Sequence, residues 1–179
     1  MTELSGIEES RAMSIAYTSK FEQCPAISLS EIEKLRGEGH VYLILIDVRT
    51  EEERAVSIVE GALSQRQFEA LKLDPEADDC AKHILVTYCT IGFRSGLYGK
   101  ELAKKGWGDR VRNGEGIVVF SYDSKLKLVD PSTGEDTNRI HCFGSDWDKA
   151  HPSKEAVVFG VWGQAKTIPA TMAAMCTIS

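Results

Sequence analysis

Apolar and polar positions fall into blocks along this chain, each with its own rhythm. Residues 1 to about 24 are polar with scattered apolar positions at Leu4, Ile7, Met13 and Ile15, which predicts a peripheral helix or a loose arm. The pattern sharpens from Ile27. Ser30-Glu31-Ile32-Glu33 reads as a capping box, with Ile32 and Leu35 as the apolar face of a helix that Gly37 stops. Val41-Tyr42-Leu43-Ile44-Leu45-Ile46 is apolar on both faces, as a buried strand of a parallel sheet is. Thr50-Glu51-Glu52-Glu53 caps a second short helix, and a further helix is expected around Gln65 to Lys72. Ile84-Leu85-Val86-Thr87-Tyr88 is the second clear strand. Six residues later a helical run from Ser95 to Lys105 presents Leu97, Leu102 and Ala103 inward and ends at Gly106.

Beyond it the pattern weakens. Arg110-Val111 predicts a short strand, and Gly116-Ile117-Val118-Val119-Phe120 either a strand or a helix start. Pro131-Ser132-Thr133-Gly134 is a turn, Arg139-Ile140-His141-Cys142-Phe143 a late hairpin strand, and the tail from Ala165 is small and polar. Strands alternating with helical runs predict α/β architecture. At 179 residues, 42% hydrophobic and 27% charged, the chain suits one domain. A chain of that length buries about two-thirds of its unfolded surface without disulfide staples.

Charge and cysteine content narrow the function. Twenty-one basic against 27 acidic residues give a net charge of −6, which disfavours a generic nucleic-acid surface. Apolar runs fall well short of the roughly 18 residues of a membrane span. The segment Met1-Thr2-Glu3-Leu4 shows no secretory signal pattern, so a cytoplasmic location is expected. The five cysteines, Cys24, Cys80, Cys89, Cys142 and Cys176, are odd in number and widely spaced, with no Cys-x-x-Cys pair. That argues against a disulfide framework and a paired-cysteine zinc site, and for free thiols in a reducing compartment.

Cys89 differs from the others by its place, between a buried strand and a loop that opens a helix. Amides at a helix start carry unpaired donors and partial positive charge, so a thiol there ionises more readily and an anion beside it is stabilised. Gly92 suits a positive φ in the loop, and Arg94 adds a fixed cation for a substrate or a neighbouring carboxylate.

The segment Val86-Thr87-Tyr88-Cys89-Thr90-Ile91-Gly92-Phe93-Arg94-Ser95 resembles the active-site loop of rhodanese-like sulfurtransferases. Leu45-Ile46-Asp47-Val48-Arg49 resembles the Asp-Val-Arg strand end of that family, and Gly61-Ala62 its Pro-Gly-Ala turn. Gly106-Trp107 followed by Asn113-Gly114-Glu115-Gly116-Ile117 resembles its closing Gly-Gly-Ile element. The likeness runs from about Ile27 to Ser121, so residues 25–124 are expected to form the domain, with 1–24 as an arm or helix and 125–179 as a C-terminal extension.

The resemblance implies a doubly wound, mostly parallel sheet with helices on both faces. It also implies a Cys89 that carries sulfane sulfur as a persulfide. Thr90, Ile91, Gly92, Phe93, Arg94 and Ser95 would form the anion-binding loop, while Asp47 and Arg49 would support the loop ends. No metal and no organic cofactor are implied; the expected partners are a small sulfur donor and a thiol, cyanide or protein acceptor. The chain departs from the family where Ile58-Val59-Glu60-Gly61-Ala62 replaces a His-Ile-Pro-Gly-Ala turn, and where Thr90 and Ile91 bring no charge to the loop.

Two other readings compete. One is a rhodanese-like binding or regulatory module without catalysis. The other is a phosphatase or arsenate reductase on the same fold, but such enzymes place five residues between Cys and Arg, whereas four separate Cys89 from Arg94. His141-Cys142 and His151 suit core or surface roles better than a metal site, because adjacent strand residues point to opposite faces. Cys80, beside Asp78 and Asp79, reads as a solvated loop cysteine with a raised pKa. Cys176-Thr177-Ile178-Ser179 fits a loose prenylation pattern but lacks a preceding polybasic segment. Trp107, Trp147 and Trp162 read as packing residues.

Overall fold

The computed structural model describes residues 3–38, 42–123, 125–144 and 147–159. The expectations for Trp162, for Cys176 and for the tail lie outside these residues.

The sheet forms from the apolar runs. Strands β1 (Ala26–Ile27), β2 (Tyr42–Asp47), β4 (Leu63–Ser64), β5 (His83–Tyr88) and β6 (Val111–Gly114) pair in the order β1-β6-β5-β2-β4, every pairing parallel. Parallel neighbours need crossovers, supplied by helices α2 (Leu29–Gly37), α3 (Glu51–Arg54), α4 (Gln65–Ala70) and α5 (Phe93–Leu102). Successive strand residues enter two different cores, which shows that both faces are covered. Leu45 and Val86 join one cluster with Ile32 of α2 and with Phe120 of α6 (Ile117–Phe120). Ile46 and Leu85 join a second with Phe68 of α4 and with Tyr98 and Leu102 of α5. The architecture is therefore α/β with a doubly wound parallel sheet.

Several local expectations shift. The arm is a helix, α1 (Glu3–Thr18). The capping box lies two residues earlier than read, at Ser28, whose hydroxyl accepts from the Glu31 amide while Glu31 accepts from the Ser28 amide. Burial of Leu29 decides between the two overlapping Ser-x-x-Glu patterns, because starting the helix there puts Leu29 and Ile32 inward. Helix α5 begins at Phe93 rather than Ser95, and its buried face is Ser95, Gly96, Tyr98, Gly99 and Leu102, with Leu97 and Ala103 only partly covered. Residues 117–120 are helical. Cys80 is buried at 2% exposure in a short helical turn instead of being solvated, although its pKa does rise, through burial and the neighbouring Asp79.

Several of the described residues after 125 also pack against the sheet. Strand β7 (Leu128–Val129) pairs antiparallel with β3 (Ile58–Val59). Strand β8 (Arg139–His141) pairs with β9 (Glu155–Val157), and the pairing is parallel, so no hairpin forms there. Leu126, Leu128, Ile140 and Cys142 lie in the same cluster as Val86. No helix among the described residues is long and apolar enough to cross a membrane.

Candidate active site

Strand β5 delivers Cys89 to the C-terminal edge of the sheet, between the ends of β2 and β6, where doubly wound folds place their ligands. The chain turns at once into α5. Gly92 caps that helix with φ of 100°, and its N–H donates to Cys89 Sγ at 3.2 Å. A side chain at Gly92 would strike Thr18 of α1, its Cβ 2.4 Å from the Thr18 methyl. The opposite wall is Gly116, with φ of 99°, where a Cβ would come within 2.4 Å of the Thr90 carbonyl oxygen. That close approach lets the Ile117 amide donate to the Cys89 carbonyl at 2.9 Å and the Val118 amide to that of Thr90 at 3.3 Å.

The predicted loop residues separate into two groups. Around the sulfur stand Gly92, Ser95 and Arg94. Ser95 Oγ lies 3.5 Å from Cys89 Sγ and 2.7 Å from Asn113 Oδ1, so its single proton is shared between the sulfur and the amide oxygen. Arg94 reaches back to Thr90 Oγ1 at 3.3 Å. Ile91 and Phe93 instead pack outward: Ile91 enters the first core cluster, and the Phe93 ring meets Tyr17 and Phe21 at 6.1 and 5.8 Å between centroids. Their side chains anchor the loop and offer an anion nothing beyond their amides.

Cys89 is 1% exposed. Burial opposes its ionisation, yet the Arg94 charge, the Ser95 hydroxyl and the loop amides outweigh burial and hold the thiol below its ordinary value. The other described cysteines go the opposite way. Burial pushes Cys24 up to about 11, and burial with the nearby Asp148 pushes Cys142 up to about 12.

Asp47 and Arg49 pair with one another. Arg49 donates through Nε and Nη2 to the two Asp47 oxygens at 3.0 and 2.7 Å, and through Nη2 to the Ser57 carbonyl at 2.6 Å. The Tyr88 hydroxyl donates to Asp47 at 2.9 Å and accepts from the Val59 amide at 3.2 Å. This buried network ties the end of β2 to the end of β5 and to β3.

Two functional candidates escaped the sequence reading, and a third, His141, was read there only as a core or surface residue. Glu53 accepts both Arg94 Nη atoms at 2.6 and 2.7 Å, a two-pronged pair buried at 3% exposure on the Glu53 side. Its only signal was the Thr50-x-x-Glu53 capping box, which does form, the Thr50 amide donating to Glu53 at 2.9 Å. Asn113 bridges the loop, accepting from Ser95 and donating from Nδ2 to the Gly92 carbonyl at 2.8 Å. It sat within the quoted Asn-Gly-Glu-Gly-Ile stretch but had no assigned role. His141 is the third, 1% exposed, its Nδ1 at 3.1 Å from Glu53 Oε1.

No group of three or more His, Cys, Asp or Glu side chains able to hold a metal gathers among the described residues. His151 bonds Ser153 at 2.7 Å, and its amide donates to Ser121. Trp107 is buried against Phe68, and Trp147 packs on Tyr17.

No protein-family model and no curated protein matches the chain. Solved structures are similar to it at low scores. A Rhodopseudomonas palustris protein of unknown function, described as a possible tyrosine phosphatase, is 19% identical over 65% of this chain and 85% of that one, with a TM-score of 0.39. The human single-domain sulfurtransferase TSTD1 is 26% identical over 56% of this chain and 99% of that one, with a TM-score of 0.40. The Bacillus halodurans protein BH2092 is 16% identical over 58% and 75%, with a TM-score of 0.39. Scores this low assign neither a family nor an activity to the chain.

Proposed function

We propose that the chain is a rhodanese-like sulfurtransferase in which Cys89 takes sulfane sulfur from a donor and passes it to an acceptor. One observation carries the reading: a buried thiol at the end of a central parallel strand is held below its ordinary pKa by Arg94, Ser95 and the loop amides. A thiolate so placed is the nucleophile that the chemistry requires. Cys89 Sγ attacks the transferable sulfur of the donor, the bond that holds it breaks (S–S in thiosulfate or a persulfide, C–S in 3-mercaptopyruvate), and the remainder of the donor leaves with the electron pair. Cys89 is left as a persulfide, whose terminal anion the loop amides and Arg94 stabilise. A thiol, cyanide or protein acceptor then attacks that outer sulfur and restores the thiolate.

The four described cysteines are free, which suits a reducing compartment such as the cytosol. Only four residues separate Cys89 from Arg94, one fewer than in a loop that surrounds a phosphate, and this speaks against a phosphatase. Persulfide formation from thiosulfate, 3-mercaptopyruvate and a protein persulfide, compared between the native chain and Cys89→Ser, tests the proposal. Sulfur on the native chain alone supports it. No adduct on the native chain favours the binding module, and phosphate-ester turnover without cyanolysable sulfur favours the phosphatase.

A further inference from the structure

The segment that follows residue 125 had no role in the sequence, yet two of its side chains reach the charged half of the site. His141, at the end of β8, places Nδ1 3.1 Å from Glu53 Oε1, and the Phe159 ring lies 4.3 Å from its imidazole. Neither ring nitrogen makes a well-formed hydrogen bond with a described residue, so the contact to Glu53 is the imidazole's one close polar interaction among them. Phe143 lies two residues on, its ring centroid 6.0 Å from the Arg94 guanidinium carbon. Glu53 is therefore a junction, facing Arg94 of α5, His141 of β8 and the Thr50 amide, with Arg49 the next cation and itself held by Asp47.

We propose that His141 is a positioning residue for Cys89. It fixes the Glu53 carboxylate, Glu53 fixes the Arg94 guanidinium, and Arg94 supports negative charge on the Cys89 sulfur. The extension is then part of the active site and no mere addition to the fold. The inference rests on the reading of Cys89 as the reacting thiol. A histidine that only filled space would be replaceable by any side chain of similar volume.

The experiment compares His141→Asn, which keeps an amide near the Nδ1 position, with His141→Gln, which moves it outward, and His141→Leu, which removes it. The readouts are the ultraviolet titration of the Cys89 thiolate and the rate of alkylation by iodoacetamide near neutral pH, beside a thermal melt. The expected result is a higher thiolate midpoint and roughly tenfold slower alkylation in the Gln and Leu proteins, one unit of pKa being tenfold in thiolate fraction. The Asn protein stays within about threefold of the native chain on the same scale. In a Glu53→Gln background the His141 substitutions have no further effect, because residues acting through one another are not additive. Native titration and alkylation in Gln and Asn alike would overturn the proposal, whether or not the Leu protein folds. Both readouts proceed without sulfur transfer, so a shifted midpoint in a chain that never accepts sulfur would leave this inference standing while the sulfurtransferase reading fell.

Discussion

At the scale of single residues, Glu53 governs the charged part of the site. Its two oxygens hold Arg94, accept from the Thr50 amide and face His141. Burial works against its ionisation, but these donors prevail and hold the carboxyl well below the usual range. A carboxylate depressed in the folded state adds stability that is complete above its unfolded pKa and fades as the pH falls below it. Glu53→Gln should therefore lose about 3 kcal/mol at neutral pH, leaving Arg94 buried without its counter-charge. It should also show a flatter loss of stability in acid than the native chain; urea melts across the acid range provide the check. The cysteines offer a second test. With Cys24 at about 11, Cys142 at about 12 and Cys80 raised, Cys89 is the one of the four described cysteines whose thiolate should titrate below the ordinary value, and that absorbance should vanish in Cys89→Ser.

The elements that position these residues depend on two close backbone approaches. At Gly116, φ of 99° combines with a Cβ position 2.4 Å from the Thr90 oxygen and 2.8 Å from the Ile91 backbone. Gly116→Ala should cost roughly 1–3 kcal/mol in backbone strain alone and push the Cys89 loop out of place, read as a lower melting temperature with slower Cys89 alkylation. The longer strands and the Thr50 helix were legible because apolar runs and a capping box are local signals. The Cys89 loop was legible because strand, glycine and arginine occur in order. The Glu53 pairing with Arg94 was not, since it joins residues far apart in the chain that only the β2 and β5 ends bring together. Strands of two or three residues, such as β7 and β9, carry too little pattern to announce a partner. The parallel pairing of β8 with β9 accordingly contradicts the hairpin that the sequence suggested.

At the scale of the molecule, α1 and residues 147–150 meet over the first core cluster. Tyr17 packs on both Phe93 and Trp147, Lys149 pairs with Glu9 at 3.1 Å, and Ser10 donates to the Lys149 carbonyl. Ser14 in the same helix is fully buried, and its hydroxyl has no partner among the described residues. Ser14→Ala should therefore stabilise the protein by about 1 kcal/mol, since it removes an unsatisfied hydroxyl and improves helix propensity. A loss of stability in denaturant would show that the hydroxyl has a partner. The chain's net charge of −6 suggested nothing of the anion site proposed at Cys89, because the relevant field is local: one arginine, a row of amides and a carboxylate that holds the arginine in place. The claim that Cys89 carries sulfur is tested most directly by the intact mass of the protein after exposure to sulfane-sulfur donors. The account predicts one added sulfur atom on the native chain, removed by cyanide and absent from Cys89→Ser. An unchanged native mass, or an adduct that survives in Cys89→Ser, would contradict it.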